Sequence, residues 1–145
     1  MNTNQIGNLG ELKVIERCLQ NNISVFLPFG DGNVVDMVIV INGKCLKAQV
    51  KSSQTNNNGC VTFKMKSEKS NRQEGIHHYT AKEIDIYLCY SYAYDEVYLI
   101  PFTEAPTSVL TIRHIPPKNN IKSVHMAENY LLEKQMVLWS NGYDA

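Results

Sequence analysis

Long apolar runs are missing from this chain. No stretch approaches the ~18 consecutive apolar residues that a membrane-spanning helix requires, so no membrane partner is expected. The opening "MNTNQIGN" has neither the charged start nor the apolar stretch of a signal peptide. Cysteine is scarce and unpatterned. Cys18, Cys45, Cys60 and Cys89 show no CxxC or other zinc spacing, and they read as buried thiols in a reducing cytoplasm. Net charge is absent too, since 14 Lys and Arg balance 14 Asp and Glu. The overall balance therefore names no partner. There is no internal repeat and no interdomain linker. A length of 145 residues fits one compact domain, and a hydrophobic content of 43% is enough to build its core.

What is present is uneven. Between residues 43 and 82 stand Lys44, Lys47, Lys51, Lys64, Lys66, Lys69, Arg72 and Lys82, opposed only by Glu68 and Glu74, a local excess of +6. Such a patch is the footprint of a polyanion or a solvated lysine-rich face. Residues 8 to 22 carry the period of an amphipathic helix. Leu12, Val14, Ile15, Cys18 and Leu19 fill one arc, with Lys13, Glu16, Arg17 and Gln20 opposite. Glu11 falls in the middle of the apolar arc, where a carboxylate is costly unless something compensates it. Strands follow at "SVFLPF", at residues 34–53, at "GCVTFKMK" (59–66), at "IDIYLCYSY" and at "EVYLIPF"; "HMAENYLLEKQMVLW" reads as a terminal helix. Strands in succession between two helices predict an α+β (α/β) domain, a mixed sheet with helices on its faces.

The segment "VVDMVIVINGKCLKAQVKSS" (34–53) holds the sharpest signal. Asn42-Gly43 is the strongest short-range hairpin signal, because a type I′ turn needs φ > 0 at both central residues. Ile41 then pairs with Lys44, and the same register sets Asp36 opposite Gln49. Lys51, two residues on, shares Gln49's face. A bulge shifts this by one. Polar residues inside an apolar hairpin are a weak source of stability, even as a buried ion pair. They do suit a divalent metal. Asp36 supplies an anionic oxygen, Gln49 an amide oxygen and Val50 a backbone carbonyl, with Glu11 as a second carboxylate. Lys51 is then placed to stabilise charge at phosphorus.

This pattern resembles the PD-(D/E)XK nuclease superfamily, the restriction-endonuclease fold. Asp36 matches its first acid, "Gln49-Val50-Lys51" its (D/E)-x-K element and Glu11 its helical acid. "GNLGELKVIERCL", the hairpin and "IDIYLCYSYAYDEVYLIPF" are together similar to the bacterial branch that holds group I intron-encoded homing endonucleases. The proline of "PD" is absent, since Val35 precedes Asp36, and Gln49 stands where an acid is usual. The resemblance implies a restriction-endonuclease-like mixed sheet flanked by helices, built as a single domain over 1–145. Residues 103–145 are expected to be a C-terminal extension for oligomerisation or DNA contacts. It implies catalytic residues Glu11, Asp36, Gln49 and Lys51, and Mg²⁺ (or Mn²⁺) held by Asp36, Gln49, the Val50 carbonyl and Glu11. It also implies double-stranded DNA as partner, a cytoplasmic (nucleoid) setting, and at least a dimer, with a tetramer favoured. Lys64, Lys66, Lys69 and Arg72 are expected at phosphates, with Asn57 and Gln73 near base edges. A restriction, repair or junction-resolving nuclease and a catalytically inactive DNA-binding module remain the alternatives. His77 and His78 read as a surface pair, and most of the tyrosines as sheet packing.

Overall fold

The computed structural model describes residues 1–68, 76–119 and 124–142. Helix α1 (Thr3–Gln20) opens the chain. It starts five residues before the apolar period does, because Asn2 and Gln5 form a capping box. The Asn2 side chain accepts from the Gln5 N–H at 2.9 Å, and the Gln5 side chain accepts from the Asn2 N–H at 2.8 Å. The buried stripe is Gly10, Val14 and Cys18. Leu12 and Leu19, expected to face the core, are 61% and 59% exposed. The helix meets the sheet along a narrow row, and the wings of its apolar arc stay outside. Arg17, expected in solvent, is half-buried and binds Glu96 at 2.9 Å and Glu133 at 3.2 Å, tying the first helix to the last.

The strands are β1 (Ser24–Phe26), β2 (Met37–Ile41), β3 (Lys44–Ser53), β4 (Cys60–Lys64), β5 (Ser67–Glu68), β6 (Ile76–His77), β7 (Ile86–Ser91), β8 (Glu96–Pro101), β9 (Val109–Arg113) and β10 (His125–Met126). A five-stranded mixed sheet runs β1-β2-β3-β7-β8, and a second sheet runs β10-β9-β4. β3 and β7 are parallel. All six residues of β7 are buried, as its uninterrupted apolar run requires of a strand covered on both faces. The strand succession predicts a single mixed sheet. The second forms where β9 pairs with β4, and Val61, Phe63 and Met65 share a core with Leu110, Ile112 and residues of the first sheet.

Two cores result. Val14, Cys18, Met37, Ile39, Leu46, Ala48 and Leu88 join Leu132 and Trp139 of the terminal helix on one face. Phe63, Tyr87, Cys89, Tyr98, Ile100 and Leu110 fill the other. The terminal helix is broken rather than continuous. α2 (Ala127–Tyr130) ends at Leu131, whose extended backbone (φ −53°, ψ 139°) restarts the chain as α3 (Leu132–Ser140). Leu131 also bridges Tyr98 of β8, and that backbone pairing interrupts the helix. Among the described residues no helix is long and apolar enough to cross a membrane.

Candidate active site at the end of the hairpin

The NG turn holds the expected register: Ile41 pairs with Lys44 and Met37 with Ala48, with Asn42 at φ 53° and Gly43 at φ 74°. The ladder stops there, one pair short of Asp36 and Gln49. Asp36 donates its N–H to the Ala48 carbonyl at 2.9 Å, one residue off the strict register. Its carboxylate Oδ2 accepts the Val50 N–H at 2.8 Å. The side chain of Asp36 thus replaces the peptide carbonyl that a longer β2 would offer. Asp85 uses the same device on the opposite edge of β3, where its carboxylate accepts the Lys47 N–H at 2.9 Å.

The site is therefore a notch where β2 ends and β3 runs on. Peptide directions along β3 alternate. The carbonyls of Lys47 and Ser53 accept from Asp85 and Tyr92 on the β7 side, whereas that of Ala48 accepts from Asp36 on the β2 side. The Val50 carbonyl shares Ala48's side and points past the end of β2. A cavity of about 560 Å³ opens there, lined by Gly7, Glu11, Asp36, Val50, Lys51 and Ser52 among others. A second, of about 510 Å³, shares Glu11 and Asp36 and is also lined by Leu27, Asp31 and Val35.

Each side chain arrives by a different route. Gly10 lets α1 approach β3, since a Cβ there would collide with Ser52 Oγ and stand 2.9 Å from Ser52 Cβ. The Tyr92 hydroxyl pins the first turns by donating to the Ile6 carbonyl at 2.6 Å. Glu11, the next residue, comes down from the helical face of the sheet. Burial, the Asp36 charge and a hydrogen bond to Asp36 push its carboxyl up to about 6. Burial also raises Asp36, while the Val50 N–H, the Lys51 charge and the Glu11 bond pull the other way. The two carboxylates therefore repel each other, and below about pH 6 Glu11 holds a proton that it donates to Asp36.

Lys51 belongs to the opposite face of the sheet. Its ammonium lies 4.8 Å from the centroid of the Tyr79 ring and donates to the Tyr79 hydroxyl oxygen at 3.3 Å. Gln49 shares that face but does not line either cavity. Its Oε1 is buried without a hydrogen-bond partner. The notch therefore brings together Glu11, Asp36, Val50 and Lys51, while Gln49 is outside its lining and keeps an unpartnered acceptor.

Lys64 is exposed at the end of β4, Lys66 is half-buried, and Asn57 is exposed in a turn bridged to Cys60. Lys69, Arg72 and Gln73 lie outside the described residues. His78 is exposed and away from the notch's lining. Sequence reasoning missed Gly10 and Tyr79 as members of the site. "GNLGELKVIERCL" contained the first without showing its reason. Tyr79 had no local signal, because its contact with Lys51 is tertiary.

A family model for the PD-(D/E)XK endonucleases matches residues 1–133, and the chain belongs to that family. Endonucleases of this kind act on DNA and generally use divalent metals. Among solved structures, the chain is similar to one described as a bacterial homing endonuclease, I-Ssp6803I. The TM-score is 0.73 and the identity 22%, over 97% of this chain and 96% of that one, a likeness of fold. No curated protein sequence matches.

The donor set fits a divalent ion. Among the described residues no group of three or more His, Cys, Asp or Glu gathers, so an all-carboxylate cage is absent. Two carboxyls are pressed together at a raised pKa, a repulsion that a dication relieves. The Val50 carbonyl points past the end of β2 toward them, and the Gln49 amide oxygen, next to Val50 in β3, is buried without a partner. Hard oxygen donors of low total charge suit a hard divalent cation, which draws other oxygens from water and phosphate.

Proposed function

We propose that this chain is a Mg²⁺-dependent, sequence-specific endonuclease of double-stranded DNA that acts in intron homing. Mn²⁺ is expected to substitute. The observation that carries the reading is the notch itself, where Glu11, Asp36 and Lys51 converge from a helix, a strand end and the facing strand. Glu11, Asp36, the Val50 carbonyl and Gln49 Oε1 are the groups that would hold the ion. Once bound, a divalent ion supplies Lewis acidity toward a phosphoryl oxygen.

The chain's own residues do the rest. The Val50 N–H fixes the Asp36 carboxylate. Glu11 must release its proton before the site carries its full negative charge. The Lys51 ammonium faces the phosphate and stabilises charge developing there as water attacks in line. The products are 5′-phosphate and 3′-hydroxyl ends. Lys64, Lys66, Lys69 and Arg72 engage phosphates, which fix register, and Asn57 and Gln73 approach base edges. One chain offers one site and a duplex has two strands, so at least two copies assemble. Resemblance to the intron-encoded branch favours four.

The test compares cleavage of a duplex bearing an uninterrupted intron insertion site with random DNA and four-way junctions. Preferential cutting of the insertion site supports homing. Equal cutting of all three, or preference for junctions, assigns the chain to another nuclease task. Gln49, neutral where an acid is usual, favours one second reading, a module that binds DNA without cutting it. Binding without Mg²⁺-dependent cleavage, unaltered in Asp36→Asn and Lys51→Ala, would establish that reading instead.

A further inference from the structure

A lysine on a flexible four-carbon stem beside a carboxylate ordinarily pairs with it. Here it does not. Asp36 feels the Lys51 charge, yet no ion pair within 4.0 Å joins these two side chains. The ammonium instead lies over the Tyr79 ring at 4.8 Å and against its hydroxyl oxygen at 3.3 Å. Tyr79 is itself held in place. Its ring meets Tyr87 edge-on at 6.1 Å, and Tyr87 stacks on Phe102 at 6.1 Å. The residue after it begins a closed turn, in which Thr80 donates its N–H to the Glu83 carboxylate at 3.0 Å and Ile84 donates to the Thr80 carbonyl at 3.2 Å. Ile84 is fully buried, which anchors that turn to the second core.

We propose that Tyr79 is the positioning residue for Lys51, its ring and hydroxyl holding the ammonium off Asp36 and directing it to the scissile phosphate. This rests on the reading of Lys51 as the group that stabilises charge at phosphorus. Two consequences follow from the geometry. Asp36 stays open to the metal, because no ammonium competes for its carboxylate. Lys51 stays in one place before DNA arrives, so less ordering is required in the transition state. The ring contact and the charged hydrogen bond are separable, since Tyr79→Phe keeps the first and Tyr79→Leu removes both.

The experiment has two independent readouts. In the first, NMR of the DNA-free protein follows the Lys51 ε-methylene protons, which a nearby ring face shifts upfield. The shift is expected in wild type and Tyr79→Phe and lost in Tyr79→Leu. In the second, single-turnover cleavage is measured against Mg²⁺ concentration. Tyr79→Leu is expected to lower the maximal rate roughly tenfold or more and raise the half-saturating Mg²⁺, with DNA affinity in Ca²⁺ unchanged, while Tyr79→Phe stays within roughly fivefold of wild type. A Tyr79→Leu protein with wild-type ε-methylene shifts, or with wild-type rate and Mg²⁺ dependence, overturns the proposal. If Lys51→Ala cuts normally, the catalytic reading of Lys51 fails on its own account, and the NMR result still decides whether the contact exists.

Discussion

Gly7 and Gly10 sit one helical turn apart in α1, and the structure gives their alanine variants opposite signs. Glycine inside a helix costs roughly 0.5–1 kcal/mol relative to alanine. A Cβ on Gly7 meets nothing within 4 Å. Gly7→Ala should therefore gain that amount, raising Tm by roughly 1–4 °C in a chain of this size. A Cβ on Gly10 gains the same propensity but lands on Ser52 Oγ, with Ser52 Cβ at 2.9 Å. Ser52 stands inside β3, between residues paired to β7, so it has little freedom to retreat. Overpacking of this kind costs typically 1–3 kcal/mol, and the net result for Gly10→Ala is a loss of about 1–2 kcal/mol. Denaturant unfolding of both variants, with Ser52→Gly added to Gly10→Ala, measures this directly. The double variant should regain part of the loss, a coupling of about 1 kcal/mol or more. If both alanines stabilise equally, and Ser52→Gly shows no coupling, then α1 does not touch β3 at this seam. The placement of Glu11 beside Asp36 would then lose its structural basis.

Glu11 adds a pH signature. Its carboxyl is raised from 4.5 to about 6 in the fold, so the metal-free protein binds that proton more tightly than the unfolded chain. The resulting stability is fully present below pH 4.5 and lost as pH rises through about 6. Discounted for a half-exposed group, the difference is about 1 kcal/mol. Glu11→Gln should thus be more stable than wild type at pH 7, nearly equal at pH 4.5, and inactive, with chemical denaturation at the two pH values as the check. Gln49→Leu removes a buried orphan acceptor; it should leave unfolding free energy unchanged or higher while raising the Mg²⁺ needed for cleavage. Gln49→Glu should cleave with altered metal preference in a Mg²⁺ and Mn²⁺ titration. Burial, with a smaller contribution from Glu133, pushes the Cys18 thiol up to about 12, and Cys89 is fully buried. Mass spectrometry after brief thiol alkylation should find Cys45, which is exposed, modified first, and Cys18 and Cys89 untouched until denaturant is added.

The hairpin was legible because a turn with a strict φ requirement fixes a register that every following residue inherits. Asn42 and Gly43 carried that requirement, and Met37 and Ala48 paired as it dictated. The register failed at its last step, at Asp36, where a carboxylate took the place of a peptide group. No periodicity encodes that exchange. The apolar arc of the first helix named Val14 and Cys18 correctly but also claimed Leu12 and Leu19. How wide a stripe is covered depends on what packs over it, and here the seam is only as broad as Gly10 and Ser52 allow. The split into two sheets was invisible for the same reason. Even the nearest paired residues of β4 and β9, Lys64 and Val109, lie 45 positions apart in the chain, and the partners meet only in the folded core. Glu11, Asp36 and Lys51 stood out in the sequence because polar residues among apolar neighbours are costly without a purpose. Tyr79 did not, because a tyrosine near a sheet is costly nowhere.

Whether the notch cuts DNA decides its assignment as the active site. The direct measurement is single-turnover cleavage, with Mg²⁺, of a duplex that the protein itself selects from a random pool in Ca²⁺. Wild type should cut it. Asp36→Asn and Lys51→Ala should each lose about 10²–10³-fold in rate while binding the same duplex in Ca²⁺ with unchanged affinity. Equal cleavage by all three proteins, or none by wild type despite tight binding, would contradict the assignment of the notch as the active site.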